Sequence, residues 1–136
     1  MLGPIFKQIH IAFESRCNKN LQRYNLTQSQ MDVLVYLKHH GSSTVTQRDL
    51  EAGLRLTNPT ITGILNRLED KNLITRETNL NDRRSKIIKM TDKSKIVLEE
   101  SYIDLKELES QIIKGFSDEE KEELVVLLNK VLNNLK

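Results

Sequence analysis

A polar turn with two adjacent arginines lies within residues 79–91, between two stretches that have the composition of β-strands. These stretches, 73–78 and 86–90, are rich in β-branched side chains, and the asparagine and aspartate residues between them are typical of turns. The segment therefore predicts a β-hairpin with a basic tip. Residues 57–71, immediately before it, repeat apolar side chains at helical spacing. An amphipathic helix that runs into a basic hairpin is typical of a winged helix-turn-helix.

Composition favours one mainly helical domain. A chain of 136 residues can bury a core but is short for two ordinary domains. Charged residues make up 29% of it, aromatic residues 4%, and there are only two prolines and five glycines. These proportions favour long helices over a sandwich or a barrel.

Positive charge is concentrated around the hairpin. The formal net charge is only +2, which does not by itself indicate a nucleic-acid partner. Residues 46–89 contain nine lysines and arginines against six acidic residues, whereas residues 117–136 contain five acidic residues against three basic ones. The placement of the charge therefore points to nucleic acid more strongly than its total.

Cysteine content and hydropathy predict the compartment. Cys17 is the only cysteine, so no internal disulfide can form, which fits a reducing environment. No stretch approaches the ~18 uninterrupted apolar residues of a membrane helix, and the first residues lack the features of a signal peptide. We expect a soluble, cytoplasmic protein that does not bind membranes.

Capping residues and apolar spacing predict three helices before residue 57. The first covers about residues 4–24. The second and third begin at Thr27-Gln28-Ser29-Gln30 and at Thr46-Gln47-Arg48-Asp49, because in each a hydroxyl and a side chain three residues later can satisfy the free amides of a first turn. The second helix is expected to end at Gly41.

The fourth predicted helix separates an apolar stripe from a polar face. Thr57 is its expected N-cap, and Asn72 follows its last turn, where a left-handed backbone is common. The stripe consists of Ile61, Ile64, Leu65 and Leu68. The outer face carries Asn58, Thr60, Thr62, Asn66 and Arg67.

Two further helices are predicted after the hairpin, one beginning after Thr91 and the other after Ser117. Together with the first helix they carry more apolar side chains than a small winged domain can bury. We expect a second copy of the chain to cover them in a two-fold homodimer. The predicted organisation is a single domain, 1–136, with dimerisation helices at about 4–24 and 92–136 and a winged helix-turn-helix at about 27–91.

The order of these parts resembles the multiple antibiotic resistance regulator (MarR) family of bacterial transcription factors over nearly the whole chain. Residues 57–76 resemble the family's recognition helix running into its first wing strand. Asn81-Asp82-Arg83-Arg84-Ser85 followed by Lys89-Met90-Thr91 resembles its wing signature. The implied fold class is mainly α with a small β-hairpin wing, a winged helix-turn-helix with N- and C-terminal dimerisation helices.

The resemblance implies a sequence-specific transcription regulator, most simply a repressor, that binds double-stranded DNA at a palindromic operator. A homodimer would place two recognition helices in successive major grooves about 34 Å apart and two wings on the flanking minor grooves. The expected DNA-binding residues are Thr46, Gln47, Arg48, Asn58, Thr60, Thr62, Asn66, Arg67, Arg83, Arg84 and Lys86.

Two positions modify what the resemblance implies. Gly63 stands where many members of the family have an arginine for guanine contact, so other base contacts or DNA shape would contribute more here. In the wing, the resemblance implies that Asp82 braces the turn by pairing with an arginine while an arginine enters the minor groove. The residues leave open whether Arg83 or Arg84 is inserted.

A small-molecule effector is also implied by the resemblance. It would bind between the dimerisation helices and the DNA-binding module. The candidate pocket residues, each of which also suits an ordinary core position, are His10, Phe13, Tyr24, Met31 and Tyr36.

Cysteine and histidine suggest two other kinds of site. Cys17 could make the chain a thiol-based redox regulator, but it lies late in the first helix, whereas the peroxide-sensing branch of the family carries its cysteine nearer the start. His39 and His40 are adjacent near a helix end, and no histidine of the fifth helix can join them. We therefore expect neither a metal nor another cofactor.

Two rival function classes make different demands on the sequence. No nucleophile elbow, glycine-rich phosphate loop or paired metal-ligand motif is present, so an enzyme is not expected. A winged helix that serves as a protein-protein adaptor without operator binding is the alternative, and it would not need the wing arginines. Salt separates it from a DNA-binding protein, because contacts with phosphates weaken steeply as ionic strength rises.

Overall fold

The computed structural model describes residues 1–136 and contains six α-helices and one antiparallel β-hairpin. The predicted fold class, mainly α with a small hairpin wing, is confirmed. In chain order the elements are α1 (Leu2–Arg23), α2 (Gln28–His39), α3 (Gln47–Leu54), α4 (Asn58–Asp70), β1 (Ile74–Thr78), β2 (Lys86–Met90), α5 (Asp92–Ile112) and α6 (Asp118–Leu135).

Reciprocal capping bonds begin α2, α3 and α6, as the sequence predicts. At α2, the Thr27 hydroxyl accepts from the amide of Gln30 at 3.2 Å, and the Gln30 side chain accepts from the amide of Thr27 at 3.3 Å. The same pairing occurs at α3 and at α6. Each pair satisfies two amides that a helix start otherwise leaves free. The end of α2 differs from the prediction: the helix ends at His39, before Gly41, and His40 is its C-cap.

The two ends of α4 are built differently. Thr57 occupies the predicted N-cap position, but its hydroxyl bonds that of Thr60 at 3.0 Å and caps no amide. Pro59 lies in the first turn, where its missing amide costs no helical hydrogen bond. Asn72, after the last turn, has the predicted left-handed backbone with φ of 59°. This residue turns the chain directly from α4 into the wing.

The wing is a regular hairpin whose base is held by the core. β1 and β2 pair antiparallel, with Ile74 opposite Met90 and Thr78 opposite Lys86. The amide of Ile88 also donates to the carbonyl of Val45 at 2.8 Å, so the segment before α3 borders β2. Ile74 and Ile88 are buried. Apolar packing and backbone bonds therefore fix the root of the hairpin.

A single core joins α2, α3, α4 and the hairpin. Its fully buried side chains come from each of these elements, and they are Val33, Leu34, Leu50, Ile61, Leu65, Leu68 and, on β1, Ile74. The four apolar stripe residues predicted for α4 all belong to this core. The helix therefore has one fixed face inward, and its polar face points to solvent.

The chain divides into two compact units, residues 1–103 and 104–136. The first contains α1 to β2 and the start of α5; the second contains the rest of α5 and α6. Within α6, four apolar side chains follow a spacing of three and four residues and are exposed, namely Val125, Leu128, Leu132 and Leu135. None of the helices combines the length and the apolar character needed to cross a membrane.

Substitution by alanine should affect stability differently at two helical glycines. A Cβ at Gly63 meets nothing within 4 Å, so Gly63→Ala should raise the free energy of unfolding by about 1 kcal/mol through helix propensity. A Cβ at Gly53 would lie 2.3 Å from Cε2 of Tyr36, whose ring stacks on His40, so Gly53→Ala should lose that gain because the ring must shift. Urea unfolding of both variants measures the difference, and equal stabilisation would contradict it.

Candidate nucleic-acid interface

The outer face of α4 presents the polar residues that the sequence places there. Asn58, Thr60, Asn66 and Arg67 are exposed, and Thr62 is half-buried. The side chain of Arg67 makes no hydrogen bond or ion pair, so its whole guanidinium is available to a ligand. At Gly63 the backbone is bare and the space around it is open.

Hydrogen bonds from α3 fix two of these side chains in place. Gln47 donates from Nε2 to the hydroxyl of Thr62 at 2.9 Å, and Asn58 donates from Nδ2 to Oε1 of Glu51 at 2.6 Å. Each of these polar groups keeps further donor or acceptor capacity after its internal bond is made. The reading face of α4 is therefore ordered before any ligand arrives.

A guanidinium from the wing ties the second half of α4 to β1. Arg76 donates from Nε to Oε2 of Glu69 at 3.2 Å and from Nη2 to Oε1 of Glu69 at 2.8 Å. Nη2 also donates to Oδ1 of Asn66 at 2.9 Å. Asn66, a predicted DNA contact, thus has an internal partner. The sequence carries no local sign of this contact, because the spacing crosses the turn between helix and strand.

The ion pair between Glu69 and Arg76 shifts the pKa of both groups. Hydrogen bonds from Arg76 lower the pKa of Glu69, with the positive charge acting in the same direction and desolvation opposing it. The pKa of Arg76 is raised by the hydrogen bond to Glu69, against desolvation. Because the folded state favours the carboxylate form of Glu69, the ion pair stabilises the fold at neutral pH. This stabilisation is lost as the pH falls through the lowered pKa of Glu69.

The tip of the wing is a turn held by its own side chains. Asn79 donates from Nδ2 to the hydroxyl of Ser85 at 3.1 Å and accepts from the amide of Asn81 at 3.0 Å. The Ser85 hydroxyl in turn donates to the carbonyl of Asp82 at 3.1 Å. Leu80, at the same tip, is 84% exposed and is not among the predicted site residues.

Asp82 pairs with Arg84, which identifies the braced arginine. Oδ1 of Asp82 accepts from the amide of Arg84 at 3.1 Å and from its Nε at 3.2 Å. The Arg84 side chain is nevertheless 93% exposed. Asp82 therefore holds the backbone amide and Nε of Arg84, while the two Nη groups remain open to a ligand. The side chain of Arg83 is exposed and has no partner.

A polar cleft of about 570 Å³ brings α3, the start of α4 and the wing tip together. Seven of the residues that line it were predicted to bind DNA or to brace the wing. Arg48, Arg84 and Lys86 supply positive charge, and Glu51 and Asp82 supply negative charge. The lining consists of Thr46, Gln47, Arg48, Glu51, Asn58, Asn79, Asp82, Arg84, Ser85 and Lys86.

The predicted effector residues lie in different environments. His10 and Phe13 are exposed on α1, Tyr24 and Tyr36 are half-buried against the core, and Met31 is buried. A cavity of about 600 Å³ lies beside the end of α2, lined also by β2 and the start of α5, and none of these five residues lines it.

Cysteine and histidine occupy ordinary positions. Cys17 is half-buried on α1 with its thiol free. His10 lies 3.4 Å from Glu14 one turn along the same helix, and His40 stacks on Tyr36 with ring centroids 4.0 Å apart. No group of three histidine, cysteine or acidic side chains is placed to hold a metal ion.

The chain is similar to one protein family and to several proteins of known structure. A model of the MarR family matches residues 26–86, from the α1–α2 turn to the start of β2. The structure is similar to that of MepR of Staphylococcus aureus, a transcription regulator of the multidrug efflux pump MepA. The identity is 28% and the TM-score 0.88, covering 100% of this chain and 99% of that one.

Two other MepR structures contain ligands. The MepR–DNA complex is 30% identical with a TM-score of 0.84, covering 96% of this chain and 97% of that one. MepR bound to ethidium bromide is 29% identical with a TM-score of 0.78, covering 100% of this chain and 97% of that one.

The Glu69–Arg76 pair can be measured directly. The carboxyl carbon of Glu69 should titrate below the ordinary glutamate range in NMR, because Arg76 donates hydrogen bonds to the charged form. In Arg76→Met the pKa of Glu69 should rise to the ordinary range. Identical titration of Glu69 in both proteins would contradict the assignment.

Proposed function

The chain belongs to the MarR family of DNA-binding transcription regulators, a family without enzymatic activity, and we propose that it is a ligand-responsive repressor that binds a palindromic operator as a homodimer. The observation that carries the proposal is the continuous polar surface formed by the outer face of α4 and the wing tip. That MepR has been captured with DNA supports DNA as the partner of this surface. The operator, and hence the regulator, lies in the cytoplasm.

Recognition is divided between base edges and phosphates. Asn58, Thr60 and Thr62 have short polar side chains suited to base edges in the major groove, and Arg67 reaches a base or a phosphate from the same face. The N-terminal end of α3, with Gln47 and Arg48, supplies positive potential towards a phosphate. Gly63 gives no side-chain contact, which leaves a larger share of the recognition to the wing and to DNA shape.

In the wing, Arg84 is the arginine that enters the minor groove. Asp82 already holds its Nε, so little side-chain entropy is lost when the free Nη groups bind in the groove. A minor-groove arginine responds to groove width and A·T content more than to a full base sequence. Arg83 and Lys86 act on the neighbouring phosphates.

Apolar side chains on the terminal helices support the homodimer. On α1, Leu2, Ile5, Ile9 and Phe13 repeat at helical spacing and are exposed. On α6 the exposed stripe of Val125, Leu128, Leu132 and Leu135 has the three- and four-residue spacing of a helix-packing seam. Exposed apolar stripes of this length are costly in water, so we expect a second copy of the chain to bury them. The resulting dimer has the two DNA-binding modules that a palindromic operator requires.

The effector is a small molecule that changes the distance between the two winged helix-turn-helix modules of the dimer. It binds the DNA-competent and DNA-incompetent spacings with different affinity, which is the thermodynamic requirement for allostery. The MepR–ethidium structure supports a small-molecule ligand for a protein of this architecture. The residues assigned to its pocket are His10, Phe13, Tyr24, Met31 and Tyr36.

Selection of bound duplexes from a random DNA pool tests the function as a whole. The expected result is enrichment of one palindrome whose half-site centres lie about one helical turn apart. Its affinity should fall steeply between about 50 and 200 mM salt, because several phosphates are neutralised. A protein-protein adaptor would enrich no palindrome, and that result would overturn the proposal.

The two wing arginines should contribute unequally. Arg84→Ala should weaken binding to the selected duplex about tenfold or more, since one braced groove contact is worth about 1–3 kcal/mol. Arg83→Ala should cost only a few-fold, in line with a phosphate contact. Lys130→Ala removes the same charge from α6 and is the control. Fluorescence anisotropy gives the three affinities, and equal losses for both arginines would refute the assignment of Arg84.

The dimer is tested by mass. Sedimentation at micromolar concentration should give twice the chain mass of 15.8 kDa. Leu128→Glu with Leu132→Glu should shift the mass towards the monomer, because two charges would be buried in an apolar interface. Asn129→Glu with Asn133→Glu places the same charges elsewhere on α6 and should leave the dimer intact. A monomeric mass for the unmodified chain would exclude the proposed interface.

A further inference from the structure

We propose that Arg76 is a positioning residue that sets the orientation of the wing relative to the recognition helix, and thereby controls how well the wing tip reaches DNA. The inference rests on the proposed function, since it takes the wing as a DNA-binding element. It assigns a separate role to a side chain outside the predicted contact set.

The geometry of Arg76 is that of a clamp between two elements. Its guanidinium makes two bonds to one carboxylate and a third to an amide oxygen, all on α4, while its backbone belongs to β1. A planar fork matched to a carboxylate fixes direction as well as distance. The Arg76 side chain is 22% exposed and that of Glu69 is 44% exposed, so the pair lies at the surface and its orienting effect rests on the three directed bonds rather than on burial.

No other side-chain bond in the hairpin joins it to α4. The second ion pair of the wing, Lys89 with Glu77 at 3.1 Å, links β2 to β1 and stays within the hairpin. The bond of Lys86 to Thr78 does the same. Buried Ile74 and Ile88 hold the root of the hairpin in the core, but apolar packing restricts its tilt less than directed bonds do. The Arg76 clamp therefore sets the angle between the hairpin and α4, whereas the core packing anchors the root of the hairpin.

A small change of angle has a large effect at the tip. Asn79, where the turn begins, is three residues beyond Arg76, which at about 3.4 Å per residue places it about 10 Å away. A tilt of about 15° then moves the tip by about 2.6 Å, nearly the length of a hydrogen bond. Arg84 lies beyond this point, so its groove contact depends on the clamp.

The clamp also determines what Asn66 can do. Its Oδ1 accepts from Arg76, and its Nδ2 keeps its donors. Oδ1 has two lone pairs, so a two-bond contact of Asn66 with adenine, which needs both Oδ1 and Nδ2, would have to share Oδ1 with Arg76 and is restricted to the orientation that the clamp sets. Arg67, the next residue along α4, keeps its full set of donors.

A double-mutant cycle on the full-length chain tests the proposal. With the duplex selected by the unmodified chain, Arg76→Met should weaken binding about tenfold, while in the Arg83→Ala, Arg84→Ala background it should cost less than about twofold. A purely structural role, or a direct contact of Arg76 with DNA, gives the same loss in both backgrounds. Equal losses, or no loss in either, would overturn the proposal.

Two carboxylates supply a matched pair of variants. Glu69→Ala breaks the clamp and Glu77→Ala breaks the ion pair within the hairpin, and each removes one negative charge near the DNA. Charge alone predicts tighter binding for both. The clamp predicts weaker binding for Glu69→Ala and unchanged or tighter binding for Glu77→Ala. If both bind DNA more tightly, the proposal is wrong.

Failure of this proposal and failure of the proposed function give different results. If Arg83→Ala, Arg84→Ala binds the duplex as tightly as the unmodified chain, the wing does not bind DNA and the function assigned to it fails. If that variant loses affinity but the loss from Arg76→Met is additive, only the positioning role fails. Thermal unfolding of each variant shows whether the fold survives, and Arg76→Lys, which keeps the charge without the fork, should restore little of the affinity.

Discussion

Burial of one apolar stripe on α4 determines the direction in which the polar side chains on the opposite face of this helix point. Ile61, Leu65 and Leu68 are fully buried between α2, α3 and the hairpin, so the helix has a single rotation about its own axis. Turning it would expose these side chains and bury polar ones, at a cost of several kcal/mol. The outer face, and with it the set of groups that can meet DNA, is a consequence of core packing.

Directed polar contacts then refine what packing leaves loose. Glu51 holds Asn58, Glu69 holds Arg76, and Asp82 holds Arg84. In each case a carboxylate orients a donor that lies on or beside the DNA-binding surface. A DNA-binding surface that carries acidic side chains is unexpected on charge alone, because carboxylates repel phosphates. Their value lies in ordering the donors before binding, which lowers the entropy lost on association.

The distance of a contact along the chain decides whether the sequence could predict it. The capping pairs at Thr27 and Ser117 span three residues, so local patterns identify them. The Asp82–Arg84 pair spans two residues, but only the family resemblance implied a brace, and the residues left open which arginine was involved. The bond from Gln47 to Thr62 spans 15 residues and that from Lys71 to Gln30 spans 41. Such contacts depend on how finished elements pack. Helices, hairpin and polar face were therefore predictable, whereas the internal partners of Asn66 and Thr62 were not.

The balance of paired and unpaired cations bears on how the reading head holds DNA. The net charge of the chain is only +2, and several basic groups near the wing already have acidic partners. Arg48, Arg67 and Arg83 have none, and each neutralised phosphate contributes about 0.9 to the salt slope. Long-range attraction is accordingly modest, and affinity depends on contacts that fit. In such a protein the angle between wing and helix matters more than the amount of positive charge, because a misdirected arginine is not replaced by a neighbouring one.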